Sequence, residues 1–370
     1  MSRTSSGDRV SRVLLLTSHP IAPPRDSADK EIAYGVAQAL SAEHRFVYFG
    51  RAGAPRLAGM PGQRIPVVSW TGRPGLAERA QVALAGIVAE QTVDMVHAVL
   101  TIGPQFAGYA AARRRLPDRF RRPVLHTVPA IVDASGLDGR HALGPTVAMS
   151  ESSAASLRNA GFPVVGCVPP AVDLERWLAV PRPAGPAIVL FAGHHGANDG
   201  GPDAIRGFRA AALDSGALVL AMRPRGGEDE RVEQAVLARI GAEGGLRELT
   251  VLGVVDDMPA LVAKSSLVLM VPRALRGKAD VPIIVLEAMA TGRPVVVSDL
   301  PSFELLGDGV RRVPAGDAAA LGRVVGELLG DRDAYDRQVA AGRLALADRF
   351  SPAAMAAAYR RLYGEVIRAS

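Results

Sequence analysis

The chain alternates short apolar runs with longer amphipathic stretches, and this alternation constrains its fold more than any other feature. Arg12–Thr17 (RVLLLT) is typical of a strand buried on both faces, and Asp29–Leu40 after it has the apolar spacing of a helix. Strand, loop and helix in repetition indicate parallel strands joined by right-handed crossovers. The sequence therefore predicts doubly wound α/β structure.

The pattern continues through the first half of the chain and then restarts after a stretch rich in proline and glycine, Val180–Pro186. Further strands are predicted at Arg45–Phe49, Val93–Leu100, Pro123–Thr127, Thr146–Met149, Ala187–Ala192, Ala217–Met222, Leu249–Gly253, Leu267–Val271 and Pro294–Ser298. Helices are predicted at Glu151–Asn159, Pro202–Leu213 and Ala353–Ile367. Two domains follow, over 1–180 and 181–350, with a terminal helix in 351–370. Tandem doubly wound domains place a ligand in the cleft between them.

Composition excludes several other classes of protein. Hydrophobic residues make up 48% of the chain, enough for a large core, and no apolar run reaches the ~18–20 residues that cross a bilayer. A single cysteine, Cys167, excludes an internal disulfide framework and a four-cysteine zinc site. The polar N-terminus lacks the apolar stretch of a signal peptide, so we expect a cytoplasmic protein.

Positive charge is concentrated in the first half of the chain. The net charge of +6 falls entirely within residues 1–180, with six arginines clustered between Arg113 and Arg122. Such a cluster can attract phosphates or an anionic bilayer, or form a solvated helix face. Only one aromatic residue, Phe120, is interleaved with these arginines, and no nucleic-acid motif accompanies them, so no nucleic acid is expected as a partner.

The strongest local signal is Val281–Ser298 (VPIIVLEAMATGRPVVVS). We interpret it as a helix with Glu287 near its start, a stop at Thr291-Gly292, and a buried strand after it. A carboxylate in a first helical turn is favoured by the helix dipole, and its two oxygens can bind a vicinal diol such as ribose. A simple charge at a helix N-terminus is the alternative. The sequence has no HExxH motif, no serine-hydrolase elbow, no dinucleotide fingerprint and no Walker A loop.

With its flanks, this segment resembles the donor-site signature of retaining family-4 glycosyltransferases, which have the GT-B fold. The resemblance extends over most of the chain. Its other parts are Arg12–Thr17 with the Pro-rich loop, Asp94–His97 (DMVH), His126 after an apolar strand, Val147–Ser150 (VAMS) and Val168–Trp177 (VPPAVDLERW). His97 is also interpreted as a buried histidine with its hydrogen bonds satisfied.

The resemblance implies two Rossmann-like, doubly wound parallel-sheet domains facing a central cleft. The N-terminal domain would bind a small-molecule or lipid-linked acceptor, and the C-terminal domain a UDP- or GDP-linked sugar. A hexose would be transferred with retention of configuration and without a divalent metal or other cofactor. The terminal helix would cross back to the first domain.

Roles for single residues also follow from the resemblance. Glu287 would hold the ribose, backbone near Val255 would meet the base, and the glycine-rich loop with nearby cations would meet the diphosphate. The predicted donor-binding residues are Gly193, His194, Arg223, Arg225, Val255, Lys278 and Glu287. The predicted catalytic residues are His126, Lys278 and Asp280, and no metal ligand is predicted.

The sequence departs from the family pattern in four places. Ala279 stands where the family has a second carboxylate, with Asp280 beside it. His194 and Asp199 stand where the family has an arginine and a lysine. Ala28-Asp29 replaces a pair of glycines, and Pro170-Ala171 replaces Asn-Gly. These changes leave the sugar and the details of diphosphate binding open.

Two alternatives remain at this point. One is a nucleotide-sugar epimerase or phosphorylase of the same fold, and the other is a catalytically weak homologue that binds or scaffolds. The acceptor also stays open. A flat apolar surface beside the arginine cluster would favour a lipid-linked acceptor and peripheral contact with a membrane, whereas a closed pocket would favour a small metabolite.

Overall fold

The structure is a computed structural model that describes residues 10–23, 27–67, 76–104, 106–194, 198, 200–223, 231, 234–235, 237, 249–275 and 278–369. Its contacts divide the chain into two compact units. The first unit comprises Met1–Ala171, Gly277–Ala279 and Pro352–Ser370, and the second comprises Val172–Arg276 and Asp280–Ser351.

Within the described residues, the first unit contains a sheet of seven parallel strands in the order β3-β2-β1-β4-β5-β6-β7. The strands are β1 Ser11–Thr17, β2 His44–Arg51, β3 Gln63–Val67, β4 Met95–Val99, β5 Val124–Thr127, β6 Thr146–Ala148 and β7 Val164–Cys167. The central strands are buried because helices cover both faces, as parallel sheets require. This is why they are continuous apolar runs in the sequence.

Helices of the first unit pack on both faces of this sheet. They are α1 Ala28–Leu40, α2 Leu76–Glu90, α3 Phe106–Arg114, α4 Glu151–Asn159 and α10 Pro352–Arg368, with short 3-10 helices at Asp118–Phe120, Ala134–Gly136 and Gly139–His141. The face under α1 and α10 forms the largest core cluster of the unit. Met355, Tyr359, Leu362 and Val366, the predicted apolar face of the terminal helix, are all buried in that cluster.

The second unit contains, within the described residues, a sheet of six parallel strands in the order β10-β9-β8-β11-β12-β13. The strands are β8 Ala187–His194, β9 Gly216–Arg223, β10 Leu249–Leu252, β11 Leu267–Met270, β12 Val295–Ser298 and β13 Arg311–Val313. Each is preceded or followed by a helix or turn, as the sequence pattern predicts.

Its helices also form two layers. They are α5 Gly201–Ala210, α6 Met258–Lys264, α7 Ile283–Thr291, α8 Ala318–Gly330 and α9 Arg332–Arg349, with a kinked 3-10 segment at Pro301–Gly309. α5 and α8 cover one face of the sheet, and α6, α7 and α9 the other. α7 is apolar almost all round because it lies in the middle of its layer.

Residues 172–180, expected in the first domain, have their contacts in the second unit. The Val172 amide donates to the Phe350 carbonyl at 3.3 Å, and the Val180 amide donates to the Thr291 carbonyl at 3.1 Å. The Arg293 guanidinium then donates to the carbonyls of Val180 and Pro181 at 3.2 and 2.7 Å. These bonds fasten the start of the Pro-rich segment to the second unit.

The two strand orders locate the candidate sites. In the first unit the order reverses between β1 and β4, and in the second between β8 and β11. Doubly wound sheets bind ligands outside the carboxyl ends of the strands at such a reversal, because the helices on either side diverge there. Candidate site residues are therefore expected at the carboxyl ends of these strands and their neighbours.

Candidate functional site

His126 lies on β5, beside the strand reversal of the first unit, and is fully buried. Its Nε2 lies 3.0 Å from the carbonyl oxygen of Leu100, and its ring stacks on Phe106 with centroids 5.1 Å apart. Since a carbonyl can only accept, Nε2 carries the hydrogen and Nδ1 carries a lone pair. No described residue donates to Nδ1. Burial lowers the pKa of His126 to about 4, so the ring is neutral at pH 7.

His97, on the adjacent strand β4, has both ring nitrogens bound. Nδ1 lies 2.8 Å from the Tyr363 hydroxyl and Nε2 lies 2.8 Å from the Thr127 hydroxyl. The Thr127 hydroxyl in turn lies 3.0 Å from the Tyr359 hydroxyl. Burial lowers the pKa of His97 to about 3. The expectation that His97 is a buried histidine with satisfied hydrogen bonds is confirmed.

At the carboxyl end of β1, a side chain accepts a hydrogen bond from the loop that follows the strand. The buried Asp29, in the first turn of α1, accepts a hydrogen bond of 2.9 Å from the Ser18 amide. The resemblance predicts flexible glycines here. The Asp29 carboxylate instead fastens the loop after β1 to the start of α1.

In the second unit, Gly193 and His194 are the last two residues of β8, and the prediction that they belong to the glycine-rich loop is wrong. The strand runs two residues further because both pair with β9, Gly193 with Met222 and His194 with Arg223. Arg223 therefore ends β9 directly beside His194. This register brings two of the predicted donor-binding residues together at the carboxyl edge of the sheet.

The loop between β8 and α5 is tied to the end of β11. The Arg273 amide donates to the Asn198 carbonyl at 2.8 Å. Gly200 has a φ of 90°, and a Cβ there would lie 2.1 Å from the Val271 carbonyl oxygen. Only glycine fits this close approach. Asp199, predicted at this loop, lies outside the described residues.

Arg273 is a cation at this edge that the sequence analysis did not single out. Its guanidinium forms two hydrogen bonds, of 2.7 and 2.8 Å, with the buried carboxylate of Asp203 in the first turn of α5. Half of the Arg273 side chain remains exposed. The two residues are 70 positions apart and belong to no motif, so only the fold reveals the pair.

Glu287 is the fifth residue of α7 and lies in its second turn, so the prediction of a first-turn carboxylate is wrong. The helix begins earlier because Ile283 and Ile284 are already helical behind Pro282. Glu287 is nevertheless buried, with 9% of its surface exposed, and it is the only charged residue of an otherwise apolar helix. A buried carboxylate in such a setting is costly unless polar groups compensate the lost hydration.

Three further predicted residues are also described. Lys278 and Asp280 are both buried, in the segment that leads into α7, where Lys278 belongs to the first unit and Asp280 to the second. Val255 is half-buried after β10 and packs against the core under α7. Arg225 lies outside the described residues. Among described residues, no group of three His, Cys, Asp or Glu side chains could hold a metal ion.

Two units of parallel-sheet α/β structure, each with its strand reversal near the middle of the sheet, define the class of fold. The chain superposes on Anabaena HepE in complex with UDP and glucose with a TM-score of 0.75, at 15% identity, over 96% of this chain and all of that one. For sucrose-phosphate synthase from Thermosynechococcus elongatus the TM-score is 0.77, at 16% identity, over 98% and 100% of the two chains. The predicted GT-B fold class is confirmed.

Residues 186–331 match the family Glycosyl transferases group 1. The chain is also 34% identical over 212 residues to the phosphatidyl-myo-inositol mannosyltransferase of Mycobacterium leprae (strain TN), over 54% of this chain and 53% of that protein. It thus spans about half the length of this curated relative. The chain carries a group 1 glycosyl transferase domain in its second unit, as the resemblance indicates.

Proposed function

We propose that the protein is a retaining, metal-independent glycosyltransferase that moves a hexose from a UDP- or GDP-linked donor to an acceptor hydroxyl. The observation that carries the proposal is Glu287, a buried carboxylate within the group 1 domain and the only charge of an apolar helix. Its two oxygens suit the paired hydroxyls of a ribose. The names of two similar proteins support such a donor: one is a mannosyltransferase, and HepE was solved with UDP and glucose.

The proposed reaction needs little acid–base chemistry from the protein. The acceptor oxygen bonds to the anomeric carbon on the face from which the diphosphate leaves, and the carbon–oxygen bond to the diphosphate breaks. The acceptor proton passes to an oxygen of the leaving diphosphate. The protein orients the two substrates and offsets the charge that develops on the leaving group.

Several cations are available for that charge. Arg223 ends β9 beside His194, and Lys278 lies in the segment before α7. Arg273 adds a half-exposed guanidinium held by Asp203 at the carboxyl end of β11. Opposite charges a few ångströms apart attract by about 4 kcal/mol at an effective dielectric near 20, so one or two of these cations suffice.

His126 supports a sugar-binding role in the first unit. Its Nδ1 is a buried acceptor to which no described residue donates. An unsatisfied buried acceptor costs about 1–3 kcal/mol, which a ligand hydroxyl would recover. The neutral ring at pH 7 suits this role, because it accepts a hydrogen bond and donates no proton. We assign His126 to a sugar hydroxyl on this basis.

Calorimetric titration of the full chain with UDP, GDP and their sugars tests the donor assignment. We expect one nucleotide to bind, and Glu287→Ala to weaken the binding at least about tenfold, since a hydrogen bond to a charged group contributes roughly 1.5–3 kcal/mol. Glu304→Gln is the control, because that carboxylate lies exposed in the same unit.

Heat from none of the nucleotides, or an unchanged affinity in Glu287→Ala, would contradict the proposal. Product analysis separates the alternatives. Conversion of the donor sugar without an acceptor would identify an epimerase or a phosphorylase. Tight binding without turnover over a panel of acceptors would identify a binding homologue.

For the acceptor we propose a lipid-linked alcohol at an anionic membrane surface. Leu84 and Val88 lie one helical turn apart on α2, with 63% and 59% of their surfaces exposed. They line an apolar groove of about 420 Å³ beside β2 and β3. Glu90, the last residue of α2, forms a buried ion pair of 2.8 Å with Arg113, which brings the arginine cluster next to α2. Arg114, Arg115 and Arg119 of that cluster are exposed, so apolar and basic surface are adjacent. Acidic headgroups complement that charge.

A further inference from the structure

His126 is held through a single carbonyl group. Its Nε2 donates to the Leu100 carbonyl, and the Leu100 amide donates at 3.1 Å to the carbonyl of Thr127, the residue after His126. One closed set of bonds therefore joins three residues: His126, its neighbour Thr127 on β5, and Leu100, which follows β4. Movement of Thr127 moves the acceptor that orients the His126 ring.

Thr127 is held from the opposite face of the sheet. Its hydroxyl lies 2.8 Å from His97 Nε2 and 3.0 Å from the Tyr359 hydroxyl, and the Tyr363 hydroxyl lies 2.8 Å from His97 Nδ1. Tyr359 and Tyr363 are four residues apart on α10, so both face the sheet. The two tyrosine rings lie 5.0 and 5.6 Å from the His97 ring.

These groups form a buried polar network within a largely apolar core. Each of the four side chains is at most 1% exposed. Apolar residues of the same shape would fill this space without the cost of burying hydroxyl and imidazole groups. A satisfied network of this kind instead specifies one arrangement of the elements that it joins. The elements joined here are β4, β5 and α10.

We propose that Thr127, His97 and Tyr359 are positioning residues for His126, and that α10 thereby controls where His126 Nδ1 lies. The inference rests on the proposed function only in taking Nδ1 as the acceptor for a sugar hydroxyl. A loss of the Thr127 hydroxyl frees Thr127 from α10 and loosens the Leu100 carbonyl. A shift near 1 Å at a substrate-orienting group lowers a rate by up to about 100-fold.

Two variants remove one hydroxyl each and keep the shape of the core: Thr127→Val and Tyr359→Phe. Tyr48→Phe is the matched control, because the Tyr48 hydroxyl is buried in the same core cluster and has no described hydrogen-bond partner. NMR of the imidazole ring follows His126 in the full chain without donor. In parallel, kcat and the donor KM are measured below the melting temperature of each variant.

We expect both variants to shift the His126 ring resonances and to lower kcat about tenfold or more, while Tyr48→Phe changes neither. Thr127→Ser, which restores the hydroxyl, should recover both. Unchanged His126 resonances in folded Thr127→Val and Tyr359→Phe would overturn the inference, as would a folded Thr127→Ser that fails to recover them. If Thr127→Val does not fold, the His126 resonances and kcat of Tyr359→Phe and Thr127→Ser test the inference instead.

A separate variant tests the proposed role of His126 in binding the sugar. If His126→Phe leaves donor affinity and rate unchanged, His126 does not bind the sugar, whatever Thr127 does to its ring. The NMR readout in the absence of donor would still report whether α10 positions that ring.

Discussion

Two histidines on adjacent strands of the first unit are equally buried but differ in what their nitrogens bind. His97 has a partner for each nitrogen, whereas His126 has one for Nε2 and none described for Nδ1. The first arrangement is that of a structural histidine, and the second is the basis of the sugar-binding role that we propose for His126. Burial lowers the pKa of both, to about 3 and about 4.

These lowered pKa values predict a loss of stability in mild acid. In the unfolded chain both histidines titrate near pH 6.5, so below this pH the unfolded state binds more protons than the folded state. The free energy of unfolding is therefore highest above pH 6.5 and falls as the pH drops toward 4. Each histidine contributes up to about 1.4 kcal/mol per pH unit in this range. Urea denaturation at pH 7, 6 and 5 measures the slope.

His126→Phe provides the comparison for this slope, because it removes one of the histidines whose pKa is lowered by burial and keeps an aromatic ring. We expect its unfolding free energy to change less between pH 7 and 5 than that of the parent protein. The carboxylates with lowered pKa values titrate below this window. Equal slopes for the two proteins would show that His126 binds protons equally in the folded and unfolded chains, which would contradict its lowered pKa.

At the scale of elements, Arg293 joins four of them. It follows α7, is 1% exposed, and donates to carbonyls of Val180, Pro181 and Ala263 and, at 3.3 Å, to the Tyr335 hydroxyl of α9. The Pro-rich segment, α6, α7 and α9 thus share one guanidinium. Five donors in a fixed planar fork make arginine, and not lysine, suited to this position.

Arg293→Met should lower the unfolding free energy of the second unit by about 1–3 kcal/mol, since it leaves the part-buried carbonyls of Val180, Pro181 and Ala263 without this donor. Arg293→Lys keeps the charge and should lose less. The control is Arg312→Met, an exposed arginine of the same unit, for which we expect a change within about 0.5 kcal/mol. Melting temperatures, measured by circular dichroism during thermal unfolding, rank the stability of the three variants. Melting temperatures that do not separate Arg293→Met from Arg312→Met would contradict this role.

The elements that the sequence predicts well are those whose burial is visible in their composition. β1, β8, β11 and β12 lie within two residues of their predicted ends because strands buried on both faces are continuous apolar runs. β3 (QRIPV), at a sheet edge, was missed: it contains a proline and a charge, which an edge strand tolerates and a central strand does not.

The residues of the candidate site likewise fall into those that the sequence indicates and those that it does not. Glu287 and His126 lie in local segments that resemble a known pattern, so the sequence could indicate them. Arg273 with Asp203 could not be found, because the pair is formed across 70 residues. The bond from Thr127 to Tyr359 spans 232 residues. Contacts of this length depend on sheet order and helix placement, which periodicity does not encode.

At the scale of the whole molecule, the charge is uneven: all of the net +6 lies in residues 1–180. The exposed apolar side chains of α2 lie in the same half. Among the described residues, no helix has both the length and the apolar character needed to span a bilayer. The membrane contact that we propose uses this surface.

We expect the full chain to sediment with vesicles of phosphatidylglycerol and phosphatidylcholine more than with phosphatidylcholine alone, and less at 1 M salt, where surface charges are screened within about 3 Å. Replacing both Leu84 and Val88 by glutamine should weaken this binding about tenfold or more, because each buried side chain contributes roughly 1.5–3 kcal/mol. Leu344→Gln is the control: Leu344 is 72% exposed but lies in the second unit. Equal loss in the control, or no preference for anionic vesicles, would contradict the proposal.

The position of α10 also bears on the order in which the protein folds during synthesis. Residues 352–368 supply Met355, Tyr359, Leu362 and Val366 to the core of the first unit, yet they leave the ribosome after all of the second unit. Domains generally fold in the order of their synthesis. In this protein, the first unit keeps part of its apolar core uncovered until residues 352–368 have been synthesised. The second unit can therefore complete its fold before the first.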